Sequence, residues 1–336
     1  YMNHVQSNAE ASVRQVIGSL KDGEFTYPID SGAQIKVKIT VDHTLKEATL
    51  DFTGTSEQDK HNYNAPRSIC GAAVLYVFRT LVGSDIPLNE GCLKPLKIIA
   101  PEGSMINPVY PAAVIAGNTE VSQAIANCLY GALGVLACSQ ATMNNFVWGT
   151  DTFQNYETIG GGTGAGPGFA GASAVQSHMT NTRMTDPEIL EKRFPVRLEA
   201  FGIRDGSGGE GEWSGGNGAT RLLRFLTPVT VTTLCSHREI PPFGVDGGEP
   251  GAVGVNWAEL PAGRRVDLTA NAATALPAST ALFGAIVARF LPVAAIVTAA
   301  ARIGVATIAA TVTLRTAFTI FHPFAWFAVS TIFALR

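Results

Sequence analysis

At 336 residues, 46 % of them hydrophobic, the chain can bury a sizeable core and suggests about two domains. Its net charge of −3, with no basic block, argues against nucleic-acid binding. Its five cysteines (Cys70, Cys92, Cys128, Cys138 and Cys235) form no Cys-x-x-Cys pair, which suits a reducing cytoplasm with thiols used as small apolar side chains.

Residues 3–20 set Val5, Val13, Val16, Ile17 and Leu20 among polar positions, the spacing of an amphipathic helix, and Gly23 follows where a C-cap belongs. Strands are predicted over 25–29, 35–41 and 48–52. In the second, Ile35, Val37, Ile39 and Val41 share one face and Lys36 and Lys38 the other, as in a half-buried antiparallel strand. Residues 67–82 are apolar nearly all round and read as a buried helix, and 96–100 as a short strand stopped by Pro101. A second buried helix spans 121–137, with Asn118 or Thr119 as its N-cap and Glu120 in its first turn. The Asn118-Thr-Glu120 group reads as a cap ahead of a site.

Further on, Thr185 and Glu188 have capping-box spacing around Pro187, so a helix starts there and stops before Pro195. Strands follow over Val196–Ile203, Ala219–Phe225 and 229–236, joined by long glycine loops. The fold class is α+β. A mixed helix/strand part covers 1–150, a β-rich part with glycine loops covers 151–276, and an apolar tail covers 277–336.

The only charged residues of that tail are Arg289, Arg302, Arg315 and Arg336. It can be read as a membrane span over 317–335, interrupted by His322-Pro323, as a shifted reading frame beginning near Leu276, or as a buried helical extension. The shifted frame is favoured. A membrane partner is expected only if the tail is genuine. The chain opens on Tyr1 with no signal peptide, so a fragment of a cytoplasmic protein is expected.

The densest chemistry lies in residues 155–195. Gly160-Gly-Gly-Thr-Gly-Ala-Gly-Pro-Gly168 can be neither a helix nor an ordinary strand. Its bare backbone can turn sharply or offer N–H groups to a ligand, and a glycine hinge is the alternative. About ten residues later come His178, Asn181, Thr182 and Arg183. His178 suits a general acid or base, or a hydrogen-bonded structural role, and with Asp186 or Glu188 it could ligate a metal only if the fold joins them. Arg183 could clamp a carboxylate or phosphate, or pair with Glu188 or Glu191. The histidines His4, His43, His61, His178 and His237 show no His-x-x-His spacing, so no metal site is assigned. Gly206-Ser-Gly-Gly-Glu-Gly211 has the letters of a dinucleotide fingerprint without its strand–turn–helix context, and no P-loop occurs, so no cofactor site is assigned either.

Several of these words resemble the hydantoinase B/5-oxoprolinase family. They include Asp51-Phe-Thr-Gly-Thr55, Asn62-Tyr-Asn-Ala-Pro66, Ala116-Gly-Asn-Thr-Glu120, Glu157-Thr-Ile-Gly-Gly-Gly162, Ser177-His-Met-Thr-Asn-Thr-Arg183 and Pro242-Phe-Gly-Val-Asp-Gly-Gly248, in one order over about residues 1–270. The resemblance implies ATP-dependent opening of a cyclic amide, 5-oxoproline in the glutathione cycle or a hydantoin, with acetone- or acetophenone-type carboxylase subunits as the alternative. A non-catalytic remnant is a further alternative. It implies ATP and a divalent metal for the complete enzyme, neither clearly bound by this chain. Its partners would be a hydantoinase A-type ATP-binding half, a small cyclic-amide substrate and further subunits of an oligomer. Lactam hydrolysis needs a base for water, a cation for the substrate carboxylate and donors for the oxyanion, and from the residue types we assign His178 as base, with Asn181 beside it in sequence, and Arg183 as the cation. The N–H groups of Gly160, Gly161, Gly162, Gly164 and Gly166 receive the oxyanion.

Overall fold

The computed structural model describes residues 1–140, 142–180 and 182–284, so of the tail read as beginning at 277 only residues 277–284 are described, and the membrane span read over 317–335 lies outside them. Helix α1 (Met2–Ile17) buries Ala9, Val13 and Ile17 along one stripe, the spacing that its amphipathic pattern requires. Strands β1 (Gly23–Pro28), β2 (Gln34–Asp42) and β3 (Glu47–Asp51) then pair antiparallel, with β2 in the middle. Ile35, Val37 and Ile39 point into the core. Lys36 faces out and pairs with Glu24 on β1 at 2.7 Å.

The next segment cannot return as a hairpin, because helix α2 (Arg67–Thr80) intervenes. A crossover of this kind permits a parallel neighbour, and β4 (Leu96–Ile99) does pair parallel to β3. Helix α3 (Ser122–Leu133) packs against α2, β1 and β2 and is buried on nearly every side. Two details correct the sequence reading. Asn118 and Thr119 lie inside a π-helical turn, Gly117–Val121, and no side chain caps the helix. Its C-terminus comes at Leu133, because Gly134 turns left-handed at φ 65° and ends the ladder. The core here is built on Ile17, Ile35, Leu50, Phe52, Phe78, Ile125 and Leu129, each fully buried side chain stabilising by roughly 1.5–3 kcal/mol.

Two further sheets hold the rest of the described chain. One has the order β12 (Asn271–Leu276), β9 (Val229–Leu234), β5 (Asn145–Gly149), β6 (Gln154–Glu157). The other runs β11 (Arg265–Leu268), β10 (Asn256–Glu259), β13 (Ala281–Gly284), β8 (Ala219–Phe225), β7 (Val196–Ile203), so residues 281–284 complete the middle of a sheet. A second core lies around Trp148, whose ring packs edge-on to Phe194 at 5.2 Å and Phe225 at 5.5 Å. Helix α4 (Pro187–Arg193) closes it through Leu190. Its N-cap is Asp186, accepting from the Glu188 N–H at 3.2 Å, and not the expected Thr185.

The architecture is α+β, as the mixed periodicities require. Among the described residues no helix is long and apolar enough to cross a membrane.

Candidate functional site

Helix α3 and its π-helical entry carry three buried polar residues on one face, Glu120, Gln123 and Asn127. Burying them without partners would cost about 1–3 kcal/mol each, and each is bonded to residues outside the helix. Gln123 pairs through its amide nitrogen with the Thr180 hydroxyl, and its Oε1 accepts from the Met179 N–H at 3.3 Å. Asn127 donates from Nδ2 to the Ser139 carbonyl at 3.2 Å and accepts at Oδ1 from the Ser139 N–H at 3.3 Å. The two backbone groups fix which end of the carboxamide is oxygen.

His178 Nε2 lies 2.9 Å from that oxygen, so Nε2 carries the proton. The Nδ1 lone pair is left to accept from the Tyr76 hydroxyl at a long 3.4 Å. The imidazole sits between Tyr76 and Tyr130, with ring centroids at 5.8 and 5.4 Å. Burial among these groups pushes its pKa down to about 4, because no carboxylate supports the imidazolium. His178 itself adopts a left-handed backbone, φ 50°, a conformation that a non-glycine residue holds only when neighbours enforce it. Here Gln123 and Asn127 do so.

The glycine run is an interlocked backbone rather than a free loop. A Cβ on Gly162 would stand 1.7 Å from the Gly216 carbonyl oxygen, and one on Gly164 would stand 1.8 Å from that of Ala137. Main chain packs directly on main chain there. Two of the five candidate N–H donors are engaged, Gly164 to Ser139 Oγ at 3.0 Å and Gly166 to the Phe169 carbonyl at 3.2 Å, while Gly161 accepts at its carbonyl from the Val175 N–H at 2.8 Å. The N–H groups of Gly160 and Gly162 make no such bond among the described residues.

Ser139 links the two halves of the site, touching Asn127 on one side and Gly164 on the other. Arg183 stands apart. It is exposed and forms no ion pair with Glu188 or Glu191 among the described residues. Asn181 lies outside the described residues; its neighbour Thr182 pairs with the Thr158 hydroxyl. The start of the run is anchored by Glu157 at the end of β6, held bidentately by Arg221 of β8 at 2.8 and 2.9 Å in a buried pair.

Glu120 has chemistry that the capping reading did not anticipate. Its carboxyl accepts from the Met143 N–H, Asn145 Nδ2 and Ser236 Oγ at 3.1, 2.8 and 2.8 Å, and burial pushes its pKa up to about 7. It borders a small cavity with Tyr27, Tyr63 and His237. His237 Nδ1 donates to the Ile240 carbonyl at 2.8 Å, leaving Nε2 to accept from the Tyr27 hydroxyl at 2.6 Å. No group of three His, Cys, Asp or Glu side chains among the described residues is placed to hold a metal, and His178, Asp186 and Glu188 do not form one. The described residues do not fit a metal.

A larger opening, a crevice of about 170 Å³, lies where the loops 160–168, 206–218 and 241–252 meet. His178 does not line it; Gly162, Gly164 and Gly166 do.

The family model for hydantoinase B/oxoprolinase matches residues 1–283, a span that encloses all of these clusters. The chain belongs to this family. It is 45 % identical over 285 residues to 5-oxoprolinase 1 of Arabidopsis thaliana, an alignment covering 80 % of this chain and 22 % of that protein. The chain thus spans about a fifth of the length of the curated 5-oxoprolinases it matches. Its fold is that of an ATP-dependent caprolactamase from Pseudomonas jessenii, with a TM-score of 0.68 at 18 % identity over 83 % of this chain and 53 % of that one. An acetone carboxylase shares it too, with a TM-score of 0.70 at 18 % identity over 83 % of this chain and 46 % of the carboxylase chain.

Proposed function

We propose that this member of the hydantoinase B/oxoprolinase family is the lactam-handling part of an ATP-dependent cyclic-amide hydrolase of the 5-oxoprolinase type. The observation that carries the reading is the 45 % identity to a 5-oxoprolinase across 80 % of the chain. The carboxylase likeness, at 18 % identity, is one of fold. ATP is used in a hydantoinase A-type half, where phosphorylation of the amide oxygen turns it into a leaving group. Here a water molecule attacks the activated ring carbon. Its oxygen bonds to that carbon and the C–N bond breaks. The ring nitrogen takes up a proton to leave as the free amine, and the carbon stays as an acyl phosphate. A second water then displaces phosphate from that carbon to give the open-chain amino acid.

In this scheme His178 takes a proton from the water at Nδ1. Its low pKa supports a lone pair that is free of protons at neutral pH. Once Nδ1 is protonated, the Tyr76 hydroxyl reverses from donor to acceptor. Gly160 and Gly162 offer N–H groups to the oxygen that gains charge, and exposed Arg183 meets a substrate carboxylate. No step is routed through a metal. The two hydrophobic clusters support two modules, the second running from Phe146 to Leu282 rather than over 151–276, and the five buried, unbridged cysteines support a cytoplasmic setting.

The test is to combine the chain with its ATP-binding half and supply 5-oxoproline, a hydantoin, or acetone with bicarbonate, each with ATP. ATP-dependent glutamate from 5-oxoproline is expected. A carboxylated ketone without ring opening would assign the chain to the carboxylase reading.

A further inference from the structure

A base that serves two waters in one turnover has to be emptied between them. The first water's proton is taken up by the ring nitrogen. The second water's proton has no such acceptor on the amino acid and must reach solvent before the base can act again. Nε2 of His178 offers no exit, because it donates to Asn127 Oδ1 and a carboxamide oxygen does not pass a proton on. The way out lies at Nδ1, toward Tyr76.

Three hydroxyls lead from there to the surface. Tyr76 and Thr80 stand one turn apart on α2, and α3 packs against that helix and brings Tyr130 to both. The Tyr130 hydroxyl lies 2.7 Å from Thr80 Oγ1 and interacts with the hydroxyl of Tyr76. Thr80 donates its own hydrogen to the Val77 carbonyl at 2.7 Å, so it accepts from Tyr130. Tyr130 is 5 % exposed, and Thr80 is exposed at the end of α2. The Tyr130 hydrogen therefore already points outward.

The Tyr76 hydrogen points the other way, to the Nδ1 lone pair at 3.4 Å, so the chain of hydroxyls is interrupted between the two tyrosines. Protonation of Nδ1 removes that lone pair. Tyr76 then accepts from Nδ1, and its hydrogen swings to the Tyr130 oxygen. We infer, on the proposed ring-opening role of His178, that Tyr76, Tyr130 and Thr80 relay its proton to solvent along a path completed only when the base is loaded. The Nδ1 proton passes to the Tyr76 oxygen, the Tyr76 proton to Tyr130, the Tyr130 proton to Thr80 and the Thr80 proton to bulk water. Each hydroxyl ends neutral, and the imidazole lone pair is restored. Burial pushes both phenols above their ordinary pKa, so neither rests as a phenolate and each releases a proton only as it takes one.

The experiment uses the enzyme assembled with its ATP-binding half and supplied with 5-oxoproline and ATP. Thr80→Val and Tyr130→Phe should each lower glutamate formation about tenfold, and imidazole added as an outside proton acceptor should restore most of it. Thr80→Ser keeps the hydroxyl and should match the wild type, which should itself gain nothing from imidazole. Near-ultraviolet circular dichroism checks that each variant keeps its packing. Unchanged glutamate formation in either Thr80→Val or Tyr130→Phe, with His178→Ala inactive, would overturn the relay while leaving the base in place. A loss that imidazole does not relieve would mark the hydroxyls as structural and overturn it as well. Full activity of His178→Ala would instead overturn the base role on which the relay rests.

Discussion

His178 donates from Nε2 to Asn127 Oδ1 across 2.9 Å, and Asn127 is itself oriented by the N–H and C=O of Ser139. One helical residue thereby decides which nitrogen of a loop histidine carries the proton. Changing Asn127→Asp places a carboxylate where the amide oxygen stood. The His178 titration midpoint should then climb from about 4 toward neutrality, visible in imidazole ¹H–¹⁵N spectra. An unmoved midpoint would show that Asn127 does not set the ring's environment.

Two groups whose pKa values are shifted by their surroundings make stability depend on pH with opposite signs. His178 has a depressed pKa, so between about 6.5 and 4 the unfolded chain binds the extra proton, and stability is lost as pH falls through that window. Glu120 has a raised pKa, so between about 4.5 and 7 the folded chain holds the extra proton, and stability is lost as pH rises. The wild type should therefore show a shallow profile from pH 5 to 7. His178→Asn should leave a falling profile and Glu120→Gln a rising one, each differing from wild type by roughly 2 kcal/mol across the window in urea unfolding.

Backbone packing makes a prediction that differs from glycine to glycine. Gly162→Ala drives a methyl into the Gly216 carbonyl and should destabilise by about 2–3 kcal/mol, loosening the three loops together. Gly71 lies within α2 with open space where its Cβ would stand, so Gly71→Ala should stabilise by about 0.5–1 kcal/mol. Thermal unfolding of the two variants measures both.

The buried Arg221–Glu157 pair should behave asymmetrically. Arg221→Met alone strands a carboxylate and should cost about 3–5 kcal/mol, whereas Arg221→Met with Glu157→Leu should recover most of it. Chemical denaturation of the two single variants and the double variant gives the coupling.

Local patterns carried much of the fold. The alternation in β2 reveals its buried face, and the α4 start is signalled by Pro187, although Asp186 proved the better acceptor. The strands β10, β11 and β13 are four residues each and sit between glycine and proline turns, too short for a period to emerge. The glycine run stood out for its composition, but only the fold shows that its neighbours are carbonyl oxygens of other loops. Glu120, Gln123 and Asn127 recur at i, i+3 and i+7, a visible helical stripe, yet they lie in a segment so apolar that burial dominates its reading. What each one holds is long-range: Ser236 is bonded to Glu120 and His178 to Asn127. Sequence distance hides such pairs.

The central claim, that the His178–Asn127 unit serves ring opening while ATP is consumed elsewhere, is tested most directly by the coupling ratio of the assembled enzyme. With 5-oxoproline and ATP, His178→Ala should lower glutamate formation about 100-fold or more while ATP cleavage falls far less. Unchanged glutamate output, still matched one-to-one with ATP cleaved, would contradict the account.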